Sequence, residues 1–300
     1  MRAKIKLYSL NLQLNIKILE MKNIKKCLAL VAFLALFSSC SDTIVNVGAE
    51  NEGPVNDSLT SGYFTKRVLI EDYTGTWCGN CTRVALAIEN VLIKTDRAEI
   101  VAIHNGDDPY HFAGITPLAN LIYPGQADLP LPTARLNRTI KWKFPETSNI
   151  QQAVDLTGYN CGLGLAVNSN MSGQNIDLNV KVKFAEDYQN LRLVVYVLED
   201  NLNYFQVNYT ASYYGGQNPI PNYDHDNVVR ATVTDILGDS MGTSFAAGTT
   251  FERSFSVNIP ANVENASNIR FVAFVVGDDN KAINVRSASV NQSQALEQNP

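Results

Sequence analysis

Cysteine is scarce in this sequence. The five present, Cys27, Cys40, Cys78, Cys81 and Cys161, are too few and too unevenly spaced for a disulfide-stapled scaffold. Positive charge is scarce too once the N-terminus is set aside. Residues 1–39 hold seven Lys/Arg and one Glu, so the whole-chain charge of −5 leaves −11 on the remainder. So acidic a body argues against nucleic acid as a partner, because phosphate binding calls for a basic surface. The chain has no internal repeat, no low-complexity tract, no second C-x-x-C and no Cys…Trp…Cys pattern of a true immunoglobulin domain. What is present is ordinary for a globular protein: 45% hydrophobic and 18% charged residues, enough to bury a core. The length suits one large domain or two ordinary ones.

The N-terminus reads as an address. Lys22, Lys25 and Lys26 precede an apolar run from Cys27 to Phe37, and Ser38-Ser39-Cys40 follows. A basic stretch, a short apolar core and small residues before a cut mark a secretory signal. The run is about half the length a bilayer-crossing helix needs. Cys40 directly after the small residues resembles the lipobox of bacterial lipoproteins, which implies cleavage and lipid attachment at Cys40. Phe37 stands where a lipobox usually has Leu. The alternative is an ordinary signal cut nearby. Met21 opens a complete signal by itself, so residues 1–20 read as an upstream extension. Residues 40–62, polar and holding Gly48, Gly53 and Pro54, are expected to form a flexible tether.

Two periodicities divide the rest. Val68-Leu69-Ile70 is a short apolar run of buried-strand type. From Cys81 onward Val84, Ala85, Ile88, Val91 and Leu92 recur at helical spacing. A strand over Glu99–Ile103, a helix over Phe112–Tyr123 and a strand over Thr133–Arg138 are expected. A capping box at Ser148–Gln151 would open a helix to about Leu156. This alternation predicts an α/β domain over residues 63–160. Beyond it, Ile176, Leu178, Val180, Val182 and Phe184 alternate with polar residues. Leu191–Glu199, Val228–Ile236, Phe251–Ile259, Ile269–Val276 and a hairpin through Gly277–Asn280 complete a series of strands. Residues 161–300 are therefore expected to be an all-β sandwich of immunoglobulin-like style.

Trp77-Cys78-Gly79-Asn80-Cys81 lies where strand passes into helix. The N–H groups of a first helical turn and the helix dipole stabilise an anion. A thiol there loses its proton more easily, and the thiolate is the reactive form. Cys78 would be the exposed attacking sulfur, and Cys81, one turn inward, would resolve the mixed disulfide. Gly79 would let the loop turn tightly, and Trp77 would shield one side of the sulfur. Rival readings stand beside this one. A lone C-x-x-C can be half of a zinc site, with Cys161, His104 or His111 as further ligands, although those histidines lack ligand spacing and no metal site is expected. It can also be a structural disulfide.

The stretch from Val68 through Asp72 to Cys81 resembles the first strand and active site of thioredoxin-like proteins. That resemblance implies that Asp72 is a buried acid accepting the resolving thiol's proton; the plainer reading is a polar strand-end residue. It also implies that Leu131-Pro132-Thr133 carries a cis-proline facing the disulfide, whose flanking backbone binds substrate. The likeness covers about residues 63–157. The full layout is similar to the relatives of a twenty-eight-kilodalton outer-membrane protein, through Glu71-Asp72-Tyr73-Thr74-Gly75 and His225-Asp226-Asn227-Val228-Val229-Arg230-Ala231. That family implies an outer-membrane lipoprotein of the cell envelope.

The expectation is an α/β thioredoxin-like domain followed by an all-β immunoglobulin-like sandwich. Cys78, Cys81 and Asp72 would be catalytic, Trp77, Leu131 and Pro132 substrate-binding, and Cys40 lipidated. Protein thiols or disulfides would be the substrate, the membrane a partner through Cys40, and no cofactor is called for. The alternative is a surface adhesion or binding lipoprotein in which Cys78–Cys81 is only a staple. Cys161 is read as a small buried apolar residue, with pairing to Cys78 as the other option, and His104 as a structural histidine. Asp224-His225-Asp226 could ligate a divalent metal or lie on a solvated loop. The long aromatic segment around Tyr213–Tyr223 is the best candidate for a binding loop in the second half.

Overall fold

Residues 59–300 are described by a computed structural model. The signal, the start at Met21, Cys40 and most of the tether lie outside them. From Val68 to Thr74 every side chain is buried, because both faces of this strand are covered. A strand covered on both faces lies in the interior of a sheet, here with Glu71, Asp72 and Thr74 buried among its apolar residues.

The chain begins with β1 (Phe64–Lys66) and β2 (Val68–Thr74), then α1 (Thr82–Lys94) and β3 (Ala98–His104). Next come α2 (Thr116–Ile122), β4 (Thr133–Leu136), β5 (Ile140–Lys141), α3 (Ile150–Val154) and β6 (Gly158–Cys161). The second half runs β7 (Leu163–Ser172), β8 (Asn175–Phe184), β9 (Tyr188–Glu199), β10 (Leu202–Gln206) and β11 (Ile220–His225). It continues with β12 (Val228–Thr232), β13 (Asp239–Phe245), β14 (Thr250–Asn258), β15 (Ile269–Val276) and β16 (Ala282–Ser289). Strand dominates.

Among the described residues one sheet runs in the order β16-β15-β9-β12-β3-β2-β4-β5, with β13 also paired to β9. β2 and β3 run parallel, Asp72 opposite Ala102, and α1 makes the crossover. The boundary expected at residues 160–161 falls at the end of β6, and the sheet continues across it. Its seam is β12 beside β3, with Val228 opposite Ala102 and the Ala102 N–H donating to the Asn227 carbonyl at 2.9 Å.

Three apolar layers cover this sheet. Val84, Ala87, Ile88 and Val91 of α1 pack on Val68, Ile70 and Ile100. Leu118 and Ala119 of α2 cover the opposite face with Leu69, Tyr73 and Val101, in a cluster that also takes in Tyr196, Val272 and Phe274. The odd residues of β9 and β15, such as Val195, Val197 and Phe271, face Leu178, Val180 and Val182 of the three-stranded sheet β14-β8-β7. β9 over Leu193–Leu198 and β15 over Phe271–Val276 are thus buried on both faces and read as unbroken apolar runs, whereas β8, half-buried, alternates.

Two local expectations are corrected. Ser148 does not open a helix: it ends a 3-10 turn over Glu146–Ser148, and α3 begins at Ile150 with Asn149 as N-cap. The Gln151 amide bonds forward to Asp155 Oδ1 at 2.7 Å instead of back to Ser148. α3 stops at Val154, because the Leu156 and Thr157 N–H groups close tight turns onto Ala153 and Val154. The aromatic segment before Tyr223 is framed by a hairpin, β10 paired antiparallel with β11. No helix among the described residues is long and apolar enough to cross a membrane.

Candidate functional site

β2 delivers Gly75, Thr76 and Trp77 to the start of α1. Cys78 and Cys81 are joined by a disulfide with Cα atoms 5.4 Å apart. Cys81 is the N-cap of α1 and gives no side-chain cap bond, and the first turn carries no acidic residue. The positive end of the helix dipole therefore sits at the two sulfurs without a competing carboxylate. Trp77 is 45% exposed, and its indole N–H donates to the Asn105 carbonyl at 2.9 Å.

Asp72 lies on β2, six residues before Cys78, and is almost wholly buried, with Oδ1 lacking any hydrogen-bond partner. Burial pushes its carboxyl up to about 8; the charge of Glu146 adds to this and Arg83 opposes it. Arg83 and Glu146 are themselves paired at 2.6 Å. A carboxyl with that affinity for a proton suits exchange with a thiol near neutral pH. The Leu131–Pro132 peptide is cis, immediately before β4, with both residues half-buried.

Cys78 is not the exposed sulfur that the sequence suggests; the residue is 5% exposed. The cause is a strap from the second half of the chain, Gln206 at the end of β10 and the residues that lead on toward β11. Gln206 Nε2 donates to the carbonyls of Gly75 and Cys78, both at 3.2 Å. The Val207 N–H bonds to the Thr76 carbonyl and the Tyr209 N–H to the Gly79 carbonyl, each at 2.8 Å. Thr82 Oγ1 of α1 meets Asn208 Oδ1 at 2.8 Å. Asn208 is braced in turn, its amide donating to the carbonyls of Tyr213 and Gln217. Tyr213 reaches α1 through a hydroxyl bond to Glu89 Oε1 at 2.9 Å.

Gly79 takes a different role from the one expected. Its φ is not in the left-handed region, so the turn itself does not require glycine; a Cβ there would stand 2.5 Å from the Tyr209 ring. The residue is small because the strap lies on it. No signal short of the tertiary fold could have revealed the bonds of Gln206, Asn208 and Tyr209; the aromatic stretch singled out from the sequence, Tyr213–Tyr223, begins after them.

The other candidate residues disperse. His225 is buried at the end of β11 beside His104, Tyr110 and Tyr223. Asp224 and Asp226 meanwhile bond Asn203 and the Asn201 N–H, so the three do not converge. Burial and the neighbouring His104 hold His225 down to about 3, hence neutral. His104 Nδ1 lies 3.1 Å from Asp108 Oδ1, and Asp108 Oδ2 accepts from the Thr76 N–H. His104 therefore braces the motif loop structurally. Cys161 is buried against β1, its thiol pushed up by that burial, and it is not the disulfide partner of Cys78. No group of three or more metal-ligating side chains occurs among the described residues.

The sequence pattern of the family described as outer membrane protein Omp28 matches residues 128–294, more than half of the chain. The chain belongs to that family. Its location is accordingly the outer membrane of the cell envelope. The matched stretch includes the strap but stops short of Cys78 and Cys81, so membership in Omp28 by itself says nothing of their chemistry. HBP35 of Porphyromonas gingivalis is similar in fold, with a TM-score of 0.57 at 18% identity over 78% of each chain. A domain of the outer membrane lipoprotein Omp28 from the same organism is 19% identical over 44% of this chain and 99% of that one, at a TM-score of 0.29. No curated protein matches.

Proposed function

We propose that this Omp28-family chain is an envelope lipoprotein, anchored through lipid on Cys40, that exchanges thiols and disulfides at Cys78 and Cys81. In this reading residues 63–160 form a thioredoxin-like domain and residues 161–300 an immunoglobulin-like sandwich fused to it through β12 and β3. The parallel β2–α1–β3 unit, with the cysteine pair where β2 passes into α1, and the β14-β8-β7 sheet packed on β9 and β15 support that assignment. The observation that carries the function is a disulfide at an uncapped helix N-terminus, reached from a strand that holds a proton-binding carboxyl, Asp72, out of water.

The chemistry balances as an exchange with a dithiol. A thiolate of the partner attacks Cys78 Sγ, the Cys78–Cys81 bond breaks, and the electron pair leaves on Cys81, whose proton is exchanged with Asp72. The partner's second thiolate then attacks its own sulfur in the mixed disulfide and releases Cys78. Two electrons and two protons pass to the protein, and the partner departs as a disulfide; the reverse sequence oxidises the protein. Trp77, Leu131 and Pro132 would contact the partner.

A second reading has its own support. The burial of Cys78 beneath the strap suits a structural staple in a surface binding lipoprotein whose β half does the work. Equilibration against glutathione separates the two. A potential among those of known exchange proteins, roughly −120 to −270 mV, with exchange lost in Cys78→Ser, upholds the oxidoreductase. A disulfide below about −300 mV refutes it.

A further inference from the structure

The strap has a consequence for what could react at Cys78. An attacking sulfur must approach in line with the disulfide, and the exposed carriers of reactive cysteines leave that approach open. Here the approach is narrowed by main-chain bonds from Val207 and Tyr209 and by Gln206 across the motif carbonyls. The Tyr209 ring lies on Gly79 while its outer face is in water, the residue being 67% exposed. The segments that meet there carry exposed aromatic surface: Trp77 beside Cys78, Tyr209 on Gly79, and, just before Gln206 on β10, Tyr204 and Phe205 with ring centroids 4.6 Å apart. A folded domain carrying a thiol on a broad surface would collide with the strap. A thin, extended chain would pass beside it, and apolar side chains next to its cysteine would find the aromatic rim.

We propose that the strap formed by Gln206, Asn208 and Tyr209 is the specificity-determining element of this site, restricting exchange to thiols or disulfides on extended, unfolded polypeptide with apolar neighbours. The proposal rests on the exchange reading above and names its substrate class. Asn208 holds the strap's shape through its bonds to Thr82 and to the Tyr213 and Gln217 carbonyls; Tyr209 supplies the cover. Gln206 fastens both to the motif.

The test uses the whole protein and two dithiol reductants of matched potential. One is a linear peptide with two cysteines flanked by Leu and Phe; the other is a small folded domain displaying a dithiol on its surface. Second-order rates of reduction of Cys78–Cys81 are measured for the wild type, Tyr209→Ala and Asn208→Ala, with glutathione as a third reductant. The peptide is expected to outrun the folded domain in the wild type. The ratio should fall by about tenfold in Asn208→Ala, as expected when one or two hydrogen bonds holding the cover are lost, and in the same direction in Tyr209→Ala, which takes away the cover itself. Tyr209→Ala removes only an exposed ring, so it keeps the test alive if Asn208→Ala does not fold. Equal wild-type rates for peptide and folded domain, or an unchanged ratio in a folded variant, overturn the strap as specificity element while leaving exchange intact. A disulfide inert to glutathione and to both dithiols overturns exchange, and the substrate class with it.

Discussion

Replacing Asp72 with Asn should change how stability depends on pH, and the structure sets the size and the sign. The unfolded carboxyl releases its proton near 3.8, the folded one near 8. Between those values the folded state binds the extra proton, so stability is greatest at low pH, falls as pH rises from about 4 to about 8, and then levels off. At pH 7 the buried carboxyl costs the wild-type fold about 4 kcal/mol at about 1.4 kcal/mol per pH unit. The substitution removes the titration but leaves a buried amide lacking partners, at about 1–3 kcal/mol. Asp72→Asn should therefore be more stable than wild type at pH 7 by about 1–3 kcal/mol. Near pH 4.5, where the wild-type carboxyl is neutral in the fold, the order should reverse. Urea unfolding of both proteins at half-unit intervals from pH 4 to 9 reads this directly. Parallel profiles without a crossing would refute the assignment of Asp72 as a buried proton-binding carboxyl.

Other substitutions probe other parts of the molecule. Gly79→Ala should destabilise by about 1–3 kcal/mol, the cost of overpacking a close contact, because its Cβ meets the Tyr209 ring at 2.5 Å. In a Tyr209→Ala background most of that loss should vanish, and a double-mutant cycle by denaturant titration measures it; additive losses would place the clash elsewhere. Phe271→Ala empties a fully buried site between β15 and the three-stranded sheet. It should cost about 3–5 kcal/mol in urea unfolding, with a single transition for residues on both sides of β6, since β12 ties the halves into one sheet. Two separate transitions would contradict that coupling.

Much of the local structure was legible in the residues. The alternation from Ile176 to Phe184 marks β8 because a half-buried strand exposes every second side chain. The spacing of Val84, Ile88 and Val91 marks α1 because those positions share one face of a helix. Ser148 misled, since a 3-10 turn ties its N–H to the Pro145 carbonyl, and that N–H is the group to which the Gln151 side chain of a capping box would have reached back. The hairpin of β10 and β11 was not legible either. Its burial pattern has Leu202 and Gln206 inward with three exposed residues between, so it carries no clean period.

Residue order alone set the chemistry available: two cysteines three residues apart at a strand-to-helix passage and an acid six residues earlier. Those are short-range properties, set by neighbours along the chain. How that chemistry is exposed was settled by packing. β12 closes onto β3 and makes one sheet from two regions, while Gln206 reaches back 128 residues to the Cys78 carbonyl. Two bonds of the strap are made by backbone groups that every residue carries, and the side-chain bonds of Gln206 and Asn208 to the motif and Thr82 span 126 to 131 residues, so no local pattern announces them and they exist only once distant strands have packed.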